Sequence, residues 1–103
     1  MDRVERRLDE LQAGGRVRWK SGWHGWLAEP DEVVHALAGE GYEESKREVA
    51  RTGHGREPAG GVWQGINRRT GSVASAIWVQ PAGTPVPLVF IEIDGRRLEG
   101  DGA

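Results

Sequence analysis

Four short runs near the C-terminus constrain this chain more than any other feature. They are "VWQGIN", "SVASAIWV", "PLVFIEID" and "RRLE", all between residues 62 and 99. Each is rich in β-branched or aromatic residues, or alternates apolar with polar positions, which is the pattern of a strand. "RRTG" and "DG" are tight-turn signals between neighbouring runs, and "QPAGTPVP" is a longer connection. Links this short join antiparallel neighbours, because a parallel crossover needs a dozen or more residues. The segment therefore predicts an antiparallel meander.

The N-terminal part predicts two helices that cover one face of that sheet. In "DRVERRLDELQAGG", Val4, Leu8 and Leu11 fall at i, i+4 and i+7, Asp2 is a fair N-cap, and Gly14 and Gly15 are a stop. In "EPDEVVHALAGEG", Pro30 suits a first turn, Asp31 and Glu32 suit the positive end of the dipole, and Val33, Val34 and Leu37 form the buried stripe. Val17 and Trp19 alternate with Arg16, Arg18 and Lys20, so residues 16–20 read as a half-buried strand. The polar run "YEESKREVART" fits a helix, an edge strand or an arm equally well. The expected class is α+β: two helices packed on one face of an antiparallel β-meander of four to five strands. One domain over 1–103 is expected, mainly helical over 1–53, with the sheet at 62–99 and a frayed tail at 100–103.

A chain of 103 residues buries a thin core. Five Trp against one Phe (Phe90), one Tyr (Tyr42) and one Met supply its bulk. An indole buries roughly 150–250 Å², so several of them must be structural. The chain has no Cys, so disulfides, thiolate chemistry and cysteine-ligated zinc are excluded. No apolar run approaches a membrane span, and the N-terminal residues lack a signal peptide's apolar stretch, so a cytoplasmic protein with no membrane contact is expected. Net charge alternates along the chain: +2 over 1–20, -5 over 21–50, +3 over 51–80 and -2 over 81–103. That pattern argues against a dedicated duplex-DNA binder.

"RVRWKSGWHGWL" is the first candidate site. Arg16, Arg18, Lys20, Trp23, His24 and Trp26 offer cations beside indoles, the combination on which single-stranded nucleic acid stacks at roughly 1–3 kcal/mol per base. A nucleotide or another flat anion would use the same parts. The competing reading makes Trp19 a core residue, because it shares a face with Val17, and the alternating cations an ordinary solvated strand face. The longer stretch "LDELQAGGRVRWKSGWHGWL" resembles the N-terminus of phage proteins that sequester a nucleotide signal. The shared features are a helix ending in "AG", a basic residue–valine strand and a "GW-x-G" turn, over about a fifth of the chain. The resemblance implies a small anionic ligand.

The histidines are His24, His35 and His54. Glu32 and His35 form half of a carboxylate-bridged di-metal element without its second copy, so no metal and no cofactor are expected. His54 lies in "RTGHGREP" with Arg51, Arg56 and Glu57. A His and a Glu for proton transfer, with Arg to hold phosphate, suffice for metal-free RNA cleavage, so His54, Glu57 and Arg56 are the alternative catalytic set. No "GK[ST]" follows this loop, and no nucleophile elbow is present.

The sheet offers partner surfaces. One expected face carries Val62, Gln64, Ile66, Val73, Ile77 and Val79. The other carries Trp63, Gly65, Ala74, Ala76 and Trp78. Trp63 and Trp78 beside small residues could form a self-complementary patch, and two-fold homodimers are the commonest assembly. Arg68 and Arg69 at a hairpin tip, and Asp31 and Glu32 within the acidic block from Glu29 to Glu48, are further partner-binding candidates. With no catalytic constellation in view, the expected function is that of a small non-enzymatic binding protein. It would act as inhibitor, regulator or adaptor, possibly of phage or mobile-element type, by occupying a protein partner or an anionic ligand. The alternatives are single-stranded nucleic acid or nucleotide binding through residues 16–26, and the metal-free endoribonuclease.

Overall fold

The two apolar stripes become the two helices. The computed structural model describes residues 3–51, 58–81 and 83–100. Helix α1 (Arg3–Ala13) buries Val4 and Leu8 and packs Leu11 along the edge of the core. It stops where Gly15 takes a φ of 79° and the Arg16 N–H returns to the Leu11 carbonyl at 2.9 Å. Helix α2 (Pro30–Gly39) starts with Pro30 in its first turn beside Asp31 and Glu32, and it buries Val33, Ala36 and Leu37.

Seven strands form one sheet: β1 (Val17–Lys20), β2 (Gly25–Ala28), β3 (Tyr42–Arg51), β4 (Pro58–Asn67), β5 (Val73–Val79), β6 (Leu88–Ile93) and β7 (Arg96–Arg97). The order is β1-β2-β6-β5-β4-β3, and every pairing is antiparallel. Strands β3 to β7 run as a meander. The β1–β2 hairpin is added to the free edge of β6, which pairs with β2 through Leu88 and Val89 and with β7 through Glu92 and Ile93. Helix α2 carries the chain from β2 to β3 at the far edge, crossing the sheet on the way.

The α+β class holds, with an antiparallel sheet, but the sheet is larger than four to five strands. The extra strands fall within residues 1–53, expected to be mainly helical with one strand. Strand β2 went unread because "GWLA" has no polar–apolar alternation. Strand β3 is an edge strand whose described residues after Tyr42 are all exposed, so charge rather than hydrophobicity dominates its sequence.

The two sheet faces differ as the alternation implies, and the helices choose the indole face. Trp63, Ala74, Ala76, Trp78, Val89 and Ile91 meet Val4, Leu8, Val33 and Leu37 there. Small residues make this possible. A methyl at Gly65 would overlap the Trp63 ring, and one at Gly61 would overlap the Trp78 ring, so each indole lies flat over a glycine. The β-branched face is left uncovered.

Candidate functional site

The "RVRWKSGWHGWL" residues separate onto opposite sides of the sheet. Trp19 and Trp26 face each other across the β1–β2 pair, with ring centroids 5.2 Å apart in an edge-to-face contact. Both are buried, Trp26 to 1% exposure, so neither is open to a stacking base. The buried Trp26 Nε1–H has no partner among the described residues. Trp23, in a 3₁₀ turn over Ser21–Trp23, is 42% exposed, and the Lys20 ammonium lies 5.9 Å from its ring. His24 is exposed at the hairpin tip with φ 54°. Arg16 pairs with Glu32 of α2 at 3.7 Å, whereas Arg18 and Lys20 point to the uncovered face.

That uncovered face holds most of the exposed large aliphatic residues among the described residues. Ile66 and Val73, Val62 and Ile77, Ile77 and Phe90, and Val79 and Leu88 are directly facing pairs across β4, β5 and β6. Ile66, Val73, Ile77 and Val79 are 37–42% exposed, and the polar row of Gln64, Ser75 and Glu92 separates Ile66 and Val73 from the other two. Leu27 of β2 continues the patch beside Leu88. Its margins differ in charge. On the β1 and β7 side stand Arg18, Lys20 and Arg97, none with an acidic partner among the described residues. The Arg97 guanidinium lies 5.0 Å from the Phe90 ring. On the β3 side, Glu43 is bound to Arg68 at 2.6 Å, and Glu48 is 3.8 Å from Lys46.

The tryptophans expected at a partner surface are elsewhere. Trp63 is 1% and Trp78 is 8% exposed, both under the helices, because the flat Gly- and Ala-rich face accepts an α-helix at close range. The open patch is therefore the β-branched face, not the Trp63/Trp78 face. The acidic block is also dispersed: Asp31 and Glu32 sit on α2, with Asp31 3.8 Å from Arg47, while Glu43 and Glu48 lie on the opposite side of the sheet.

Two carboxylates missed by sequence reasoning organise this framework. Glu44 Oε1 accepts the Trp63 indole N–H at 2.8 Å and Arg47 Nε at 2.9 Å. The Arg47 hydrogen bond, then the Trp63 N–H and the Arg47 charge, hold its carboxyl below the ordinary value against partial desolvation. Asp94 accepts the Val73 N–H and the Ser72 hydroxyl, both at 2.8 Å, and these bonds lower its pKa in that order. Only Asp94 had a legible signal, the "DG" turn.

A second concavity lies at one end of the sheet, between the start of α1, the end of α2 and the β4–β5 turn. Three adjoining hollows share Arg3 and Glu40, and one of them, about 320 Å³, is lined also by Tyr42, Asn67 and Arg69. Asn67 holds its floor. Its Oδ1 accepts the N–H groups of Arg69 and Thr70 at 3.0 and 3.3 Å, and its Nδ2 donates to the Glu40 carbonyl at 3.4 Å.

His54, Arg56 and Glu57 lie outside the described residues, and His35 is exposed on α2, away from His24 at the hairpin tip. Among the described residues no group of three His, Asp or Glu side chains comes together to hold a metal ion, and no helix is long and apolar enough to cross a membrane. Compared with protein-family models, curated proteins and solved structures, the chain matches none of them.

Proposed function

We propose that this is a non-enzymatic cytoplasmic binding protein that acts as an inhibitor, regulator or adaptor by docking a protein partner on the open face of its sheet. The observation that carries this reading is the apolar cluster of Val62, Ile77, Phe90 and Val79, with Ile77 37% and Val79 42% exposed. Contiguous apolar surface of this kind marks interaction sites, since leaving it in water forfeits roughly 25 cal/mol per Å². The rim sets the partner's chemistry. Arg18, Lys20 and Arg97 along one margin suit a partner that presents an apolar surface flanked by carboxylates, and the charge match would speed association and fix orientation.

The test is affinity capture from cells that make the chain, comparing the native protein with Ile77→Asp, Val79→Asp and, as a surface control, His35→Ala. The reading expects one stoichiometric partner with the native and control proteins, released by salt and lost with both face variants. Its failure is a captured set that the face substitutions leave unchanged. A second copy of this chain as the partner would appear as a dimer in sedimentation equilibrium that Ile77→Asp dissociates.

A further inference from the structure

The end-of-sheet cleft is lined by exposed arginines that have no acidic partner among the described residues. Arg3 and Arg6 occupy the first turn of α1, three residues apart. Cations are unfavourable at the positive end of a helix dipole, and like charges at i,i+3 repel. Nearby arginines are neutralised: Arg7 stands 3.7 Å from Glu10, and Arg68 is bound to Glu43 at 2.6 Å. Arg3, Arg6 and Arg69 have no acidic partner among the described residues; Arg3 lines all three hollows, Arg69 two of them, and Arg6 only the third, beside Glu10.

Arg69 is also presented from a fixed backbone. Asn67 ties the turn to the end of α2, and the Gly71 N–H closes it on the Asn67 carbonyl at 2.7 Å. Gly41, with φ 99°, lets Asn67 approach the helix end, since a methyl there would stand 3.0 Å from its side-chain nitrogen. The arrangement therefore joins cations from two elements around a supported floor.

We propose that this cleft binds a small phosphorylated ligand, with Arg3 and Arg69 around its phosphate and Glu40 accepting from a hydroxyl of the same molecule. Guanidinium groups match phosphate oxygens by forked, charge-assisted hydrogen bonds. Glu40 sets the rest of the ligand. Its carboxylate has no ion-pair partner among the described residues and opposes a bare anion, but it accepts hydrogen bonds from a sugar-like diol. A volume of about 320 Å³ suits a molecule of sugar-phosphate size. This site is separate from the apolar sheet face, so either proposal can fail without the other.

The experiment titrates ribose 5-phosphate and inorganic pyrophosphate into the native chain at constant ionic strength, followed by amide NMR shifts. Saturable shifts at Arg3, Asn67, Arg69 and Thr70 are expected with the sugar phosphate. Arg69→Ala and Arg3→Ala should each weaken binding about tenfold, the loss expected for a hydrogen bond to a charged group. Glu40→Gln should act in opposite directions, weakening ribose 5-phosphate and strengthening pyrophosphate. The proposal is overturned if neither probe saturates at millimolar concentration, or if the shifts spread over all surface cations and persist unchanged in folded Arg3→Ala and Arg69→Ala proteins. Pyrophosphate binding with no response to ribose 5-phosphate overturns the role of Glu40.

Discussion

The buried indole of Trp63 donates its N–H to the Glu44 carboxylate across the β3–β4 pair at 2.8 Å. Arg47 binds the same oxygen at 2.9 Å and reaches towards Asp31 of α2 at 3.8 Å. One carboxylate thus satisfies a core indole and, through Arg47, links the edge strand to the helix layer. Glu44→Ala should lower the melting temperature by stranding the Trp63 N–H. A double-mutant cycle with Trp63→Phe checks this, since removing both partners should cost less than the sum of the single losses.

Acid should loosen the fold through Glu44 and Asp94. Both have carboxyl groups held below their ordinary values in the folded chain. Their contribution is therefore complete above the ordinary carboxylate range and is lost as pH falls through that range and on through the folded values. Urea midpoints measured from neutral pH down to pH about 3 should fall. The fall should be shallower in Glu44→Gln combined with Asp94→Asn. An equal slope in that double variant would contradict the assignment.

The five tryptophans should divide four to one. Trp19, Trp26, Trp63 and Trp78 are buried, and Trp23 alone is substantially exposed. Iodide should quench a single accessible component of the fluorescence, and Trp23→Ala should remove it with a stability change within about 0.5 kcal/mol. Trp26→Ala should cost about 3–5 kcal/mol in chemical denaturation, since it empties a core position against Trp19.

Gly65 and Gly22 should differ in their response to alanine. A methyl at Gly65 collides with the Trp63 ring, so Gly65→Ala should destabilise by about 1–3 kcal/mol through overpacking. At Gly22 nothing lies within 4 Å, so the same change should be nearly silent. Thermal melts of the two variants make the comparison.

The exposed face should tolerate polarity. Ile77 is 37% exposed in the middle of β5, so Ile77→Thr keeps a β-branched residue and should cost no more than about 1 kcal/mol. Binding of an apolar fluorescent dye by the folded protein should drop in the same variant. A cooperative unfolding loss of several kcal/mol would place Ile77 in the core instead.

The local pattern of residues determined the helices and the meander. Val4, Leu8 and Leu11 at helical spacing, Pro30 at a first turn, and alternation either side of "RRTG" and "DG" act within a few residues, so they are readable without the fold. In the "DG" turn, Asp94 and Gly95 take φ values of 52° and 81°, the paired positive angles such a hairpin demands. Within β4 and β5 the alternation also divided the residues correctly into two faces, whereas the β-branched Val89 and Ile91 of β6 lie on the indole face.

Which face would be covered was decided by tertiary packing. Both faces carry apolar residues, and alternation is blind to the difference. The helices settle on Trp63 and Trp78 because glycines at 61 and 65 let the indoles lie flat, a relation that includes a cross-strand register. The same long-range pairing made Glu44 a partner of Trp63, split the acidic block between two sides of the sheet, and brought Arg3 and Arg69, far apart in the sequence, to one hollow. No local rule reaches across such distances. Propensity and period describe neighbours in the chain, whereas sites are built by neighbours in space.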